Sequence, residues 1–153
     1  MGKQGKHRMR ICKLPVVLLI LTIFVTGCGA GAPPRMEEYT WAMETVLSEA
    51  EEGRIVAYGG AYDGSGETGG AEQVELICTA EDGVLTLTDR TRERVYSGAY
   101  TLRQSDPGSR LYDVTLDGEE GYAVAAMTTY HDGREEPTLV MHCGIYTIYF
   151  YTE

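Results

Sequence analysis

Four Asp-Gly pairs, Asp63-Gly64, Asp82-Gly83, Asp117-Gly118 and Asp132-Gly133, cut most of the chain into short segments, and Asp106-Pro107-Gly108 adds another break. Asp-Gly favours tight turns because Gly accepts a positive φ and Asp tolerates one. Between the breaks, apolar and polar residues alternate with a period of two, the spacing of a strand with one buried face. Val74, Leu76, Cys78 and Ala80 share one parity, as do Tyr96, Gly98, Tyr100 and Leu102. Tyr112, Val114 and Leu116 form a third set, and Tyr146, Ile148 and Phe150 a fourth. Short strands joined by tight turns pair antiparallel with their neighbours, so the pattern predicts an all-β meander.

The expected strands are 73–80, 84–88, 94–103, 110–116, 121–130, 138–142 and 145–151, with a further short one at 54–59. The last two of the main set could instead be one strand bulged at Gly144. Residues 36–53 fit two patterns. Met36, Tyr39, Met43, Val46, Leu47 and Ala50 make a helical stripe, while Tyr39, Trp41 and Met43 alternate as in a strand; a strand to about Leu47 is the preferred reading. The Gly-rich stretch Gly59 to Gly70 reads as a mobile loop. About eight strands, each with one apolar face, can bury those faces in a sandwich or a barrel. Sequential pairing favours an up-and-down barrel, whose closure also removes exposed edges.

Charge divides the chain differently. Lys3, Lys6, Arg8, Arg10 and Lys13 precede residue 28, and all 23 acids follow it. Residues 28–153 carry 8 Arg, no Lys and those 23 acids, a formal charge of −15. Nucleic acid is excluded as a partner on that balance, because phosphate binding needs clustered cations. The basic stretch leads into an apolar run from Leu14 to Val25 and then small residues, the order of a secretory signal. A run of about 12 apolar residues is short of the roughly 20 that a membrane-spanning helix requires.

Val25-Thr26-Gly27-Cys28 ends that run and resembles the lipobox of bacterial lipoproteins. The resemblance implies cleavage between Gly27 and Cys28, and a diacylglyceryl group on the Cys28 thiol. Residues 1–27 would then be the signal peptide, 28–38 the lipidated Cys and its tether, and 39–153 the folded domain. Two acyl chains anchor stably where one is marginal. The expected location is the extracytoplasmic face of the cell membrane in a Gram-positive-type bacterium. Further phrases, Tyr39-Thr40-Trp41-Ala42-Met43, Tyr96-Ser97-Gly98-Ala99-Tyr100-Thr101-Leu102 and Tyr146-Thr147-Ile148-Tyr149-Phe150, resemble the small lipocalin-like lipoproteins of such bacteria. That resemblance implies a lipocalin-like barrel in which Trp41 packs at the closed end. It assigns no ligand, and a fold alone supplies no function.

Candidate functional residues are few. Cys78 and Cys143 would form a disulfide contributing about 2–4 kcal/mol, or remain two buried thiols. His142 and Cys143 are sequence neighbours on a strand, so they point to opposite faces and do not make a thiol–base pair. Asp63, Ser65 and Glu67 begin like a calcium loop, but Thr68 stands where its Gly should be. No catalytic triad, zinc-ligand spacing, phosphate loop or cofactor motif is present, and the chain reads as non-catalytic. All 11 Tyr residues follow residue 38. Trp41, Tyr58, Tyr62, Tyr130, Tyr149 and Tyr151 are the expected contacts for a ligand or partner, since an aromatic ring offers apolar area and Tyr adds a polar tip.

The expected function is therefore a membrane-anchored binding module for a small apolar or amphipathic ligand. The alternative is an interaction protein docking a cell-envelope partner through an outward Tyr-rich surface. Cys28→Ala should move the protein from the membrane to the soluble fraction in cell fractionation; unchanged retention would refute a lipid anchor at this thiol.

Overall fold

The computed structural model describes residues 32–62, 64 and 68–153. The leader, the Gly27-Cys28 junction, and Asp63, Ser65 and Glu67 lie outside the described residues. Ten strands are present: β1 Trp41–Ser48, β2 Arg54–Tyr58, β3 Glu72–Gln73, β4 Leu76–Glu81, β5 Val84–Asp89, β6 Arg94–Ser105, β7 Ser109–Leu116, β8 Glu119–Thr129, β9 Glu135–Cys143 and β10 Tyr146–Thr152. From β4 to β10 each strand runs antiparallel to the next. β1 pairs with both β10 and β4, so eight strands close into an antiparallel barrel. β2 and β3 extend from the side of β1, and β3 joins β2 in parallel.

The meander, the closure and the strand positions follow the expectation from alternation. Gly144 lies between two separate strands, β9 and β10, rather than within one bulged strand. At the β4–β5 and β7–β8 hairpins, Asp82 and Gly83 have φ of 48° and 81°, and Asp117 and Gly118 have 53° and 86°. Two successive positive φ values are what a two-residue hairpin needs to match the strand twist, and Asp-Gly supplies them at little cost.

The ambiguous segment is strand β1, and its helix-like spacing has a structural cause. The β1–β10 register shifts between Met43 and Thr45, a bulge that resets which residues face inward. Met43 opposes Phe150 before the shift, and Val46 opposes Ile148 after it; all four belong to the core or pack on it. Two inward residues three apart imitate a helical stripe.

One end of the barrel is plugged. Trp41 is fully buried, and its indole Nε1 donates to the Met36 carbonyl at 2.8 Å. The Met36 amide donates to the Tyr112 hydroxyl at 3.2 Å, and Tyr100 meets Tyr112 edge-on with centroids 5.9 Å apart. These bonds hold the 3-10 turn Met36–Glu38 across the strand ends. The chain just before it is also fixed, since Arg110 Nε donates to the Pro33 carbonyl at 3.1 Å. Trp41 thus sits where the lipocalin-like resemblance puts it. Beneath the plug, Cys78, Leu85, Leu139 and Met141 are completely buried.

Two strand glycines permit the tight curvature. A Cβ on Gly98 would lie 1.8 Å from the Thr115 carbonyl oxygen, and one on Gly121 would lie 2.1 Å from that of His142. Both contacts are with backbone, which cannot rotate away, so neighbouring strands approach there only because the side chain is missing. Gly98→Ala should destabilise the domain by at least about 2 kcal/mol, within the range for overpacking a core. A urea midpoint unchanged from the parent would contradict this account of the curvature.

Candidate functional site

The end opposite Trp41 is hollow. β1 pairs with β4 only through Trp41 and Ala42, then leaves it and pairs with β2 from Thr45 to Ser48. The parting of β1 from β4 opens a cavity of about 680 Å3. Met43, Leu87 and Ile148 form its floor towards the core, Val46, Leu76 and Leu116 its walls, and Val56 and Ala57 of β2 with Val74 line the widened side. Tyr96, Ile145 and Tyr146 border the opening. This size and aliphatic lining suit a small apolar molecule or tail.

A polar cluster stands on the β5–β6 side. Asp89 is almost fully buried, yet it accepts hydrogen bonds from the Arg92 backbone amide at 2.9 Å and from the Arg92 guanidinium at 2.8 Å. The same guanidinium also pairs with Glu72 on β3, tying the side extension to the barrel. Burial by itself pushes the Asp89 carboxyl up. The hydrogen bonds and charge of Arg92, with a backbone bond from Thr91, outweigh it and hold the carboxyl below its ordinary range. Across the opening, Asp117 and Glu119 also line the cavity, and neither makes an ion pair among the described residues.

Cys78 and Cys143 are both free thiols, which corrects the disulfide alternative. Register explains the separation. Cys143 is level with Tyr146, which is level with Ser48, whereas Cys78 is level with Trp41 at the other end of β1. That offset is roughly 20 Å along the strands, far beyond the span of a disulfide. Burial pushes the Cys78 thiol up to about 12. Cys143, at the cavity, is raised by burial and then by the charge of Glu119. A thiol so shifted stays protonated at neutral pH and is a weak nucleophile. His142 points away from Cys143, as strand alternation requires. Its ring stacks on Tyr122 at 5.2 Å, and its Nδ1 lies 3.2 Å from Thr147 Oγ1 and 3.4 Å from Glu49 Oε1.

The aromatic residues expected as contacts are dispersed. Trp41 is sealed in the plug and cannot touch a bound molecule there. Tyr58, at the end of β2, packs on Tyr62 with centroids 5.8 Å apart. Tyr130 lies in the β8–β9 turn under the Arg134 guanidinium, 5.0 Å from the ring centre. Tyr149 and Tyr151 alternate with the buried Ile148 and Phe150 and so occupy the outer face of β10. None of these lines the cavity; Tyr96 and Tyr146 do. Parity could place Tyr96 and Tyr146 on the inner face, but it carried no sign of their height along the barrel. Among the described residues, no three His, Cys, Asp or Glu side chains converge as a metal site.

Compared with protein-family models, curated proteins and solved structures, the chain matches none. The site must therefore be read from its own chemistry.

A depressed carboxyl gives stability that is complete above the unfolded-state value and is lost as pH falls through the folded one. For Asp89 the decline should begin near pH 4, the ordinary Asp range. Asp89→Asn should flatten that part of the acid-denaturation curve followed by tryptophan fluorescence; an unchanged acid slope would show that the Arg92 pairing contributes nothing.

Proposed function

We propose that this protein is a lipocalin-like lipoprotein, anchored through diacylglyceryl-Cys28 outside the cell, that holds a small apolar or amphipathic molecule in the open end of its barrel. The observation carrying this reading is the coexistence of a plugged end and a hollow, aliphatic end within one closed sheet. Eight-stranded barrels are wide enough to be filled by side chains or to hold one small ligand, and here the two outcomes occupy opposite ends. The reading is non-catalytic. The buried carboxylate at the cavity is already held by Arg92, and the nearby Cys143 thiol is raised rather than activated.

The rival reading, docking through an exposed Tyr surface, wants a filled barrel and a contiguous aromatic patch. The hollow mouth and the scatter of Tyr58, Tyr130 and Tyr149 over separate elements favour the ligand reading.

The anchor also sets an orientation. Pro33 is fixed at the plugged end, and Ala32 lies four residue steps after Cys28, a reach of at most about 14 Å. A lipid on Cys28 therefore keeps the plug towards the bilayer and turns the opening to the aqueous side. The acidic domain is also repelled by anionic headgroups within about a Debye length, which keeps it off the bilayer surface.

The full chain in phosphatidylcholine nanodiscs should give saturable fluorescence enhancement with the neutral probe N-phenyl-1-naphthylamine, above an empty-nanodisc blank. Leu116→Trp, which fills the cavity, should weaken this at least tenfold while leaving the β-sheet circular dichroism intact. Absence of saturable binding by the parent chain would overturn the ligand reading.

A further inference from the structure

We infer that the cavity selects amphiphiles with a cationic headgroup and discriminates against fatty-acid-like anions. The inference rests on the ligand-binding reading above and assigns the charge class of what that site takes. Its basis is the distribution of charge around an otherwise aliphatic chamber. Asp89, Asp117 and Glu119 line the cavity against a single lining cation, Arg92. The charge of Arg92 is already offset, because its guanidinium is shared between Asp89 and Glu72.

The other arginines near this end do not reverse the balance. Arg90 pairs with Glu75 and lies 3.8 Å from Glu153. Arg54 pairs with Glu51 in the β1–β2 turn. Arg94 opposes Asp89 in the β5–β6 register but stands outside the cavity lining. The β7–β8 hairpin supplies Asp117, Glu119 and Glu120 with no arginine among them. A ligand whose tail fills the space between Leu76, Leu116 and Ile148 would place its head in the opening beside Asp117 and Glu119. An ammonium there gains two carboxylates without an ion-pair partner among the described residues, and Tyr96 and Tyr146 line the same cavity. A carboxylate head in that position meets like charge. Displacing Arg92 from Asp89 to receive it would leave a buried carboxylate without its cation, which is costly.

On the anchoring reading the chain's own lipid starts at the plugged end, by way of the short segment before Pro33, whereas the opening is at the other end of the strands.

Three ten-carbon probes separate the possibilities: decylammonium, decanol and decanoate, each displacing N-phenyl-1-naphthylamine from the full chain in phosphatidylcholine nanodiscs, with empty nanodiscs as the reference. At low salt, decylammonium should displace the probe at about a tenfold lower concentration than decanoate, with decanol between them. Raising ionic strength from about 0.01 M to about 0.15 M shortens the screening length from roughly 30 Å to 8 Å and should narrow the gap. The double variant Asp117→Asn, Glu119→Gln should bring the decylammonium and decanoate midpoints to within about twofold of each other; a preference retained in full would overturn the charge assignment. Equal displacement by all three probes, or better displacement by decanol or decanoate, would overturn the charge assignment and leave the binding reading standing. Failure of all three, together with no saturable uptake of the fluorophore, would overturn both.

Discussion

Closure of β1 onto β10 is the constraint on which the rest of this structure depends. The meander from β4 to β10 is a run of local hairpins, and each could form with only its neighbour present. The first strand has to travel past all of them and complete the ring, pairing with β10 along its length and with β4 at its beginning. Loop-closure entropy opposes so non-local a contact, and burial of apolar surface must exceed it. Trp41 stands where the three strands meet and is fully buried. Truncating such a residue typically costs about 3–5 kcal/mol, a large part of the 5–15 kcal/mol that a domain has in total.

The same strand also creates the cavity. After its bulge, β1 turns to β2 instead of staying with β4, so the ring is tight at one end and spread at the other. The plug lies before the register shift, where β1 still pairs with β4, and the mouth lies after it. The Trp41 end is filled by aromatic rings and a hydrogen-bonded turn; the open end is lined largely by aliphatic groups around an empty space. The Arg92 guanidinium, bridging Asp89 and Glu72, fastens the side extension so that the widened part has a third wall.

Much of this was legible beforehand. Asp82-Gly83 and Asp117-Gly118 marked hairpins because their backbone demands are local. Alternation separated inner from outer residues in β4, β7 and β10 for the same reason. The segment around Met43 and Val46 was equivocal because a bulge is a change of parity, and a parity change over a few residues cannot be told from a helical period without the partner strand. The aromatic site was misplaced for a related reason. Tyr149 and Tyr151 are outward on β10, Tyr130 is in the turn after β8, and Trp41 is sealed in, whereas the mouth belongs to Tyr96 and Tyr146.

The amino-acid sequence by itself determined the strands, their turns and, for most of them, which side chains face inward, since each depends on residues within a few positions of one another. Tertiary structure alone decided that β1 parts from β4 after Ala42, that Cys78 and Cys143 stand far apart, and that the space near Leu116 and Ile148 is empty while that near Trp41 is full. Those features depend on how far one strand slides against another before pairing. That offset is settled by contacts between residues a hundred positions apart, and no local pattern encodes it.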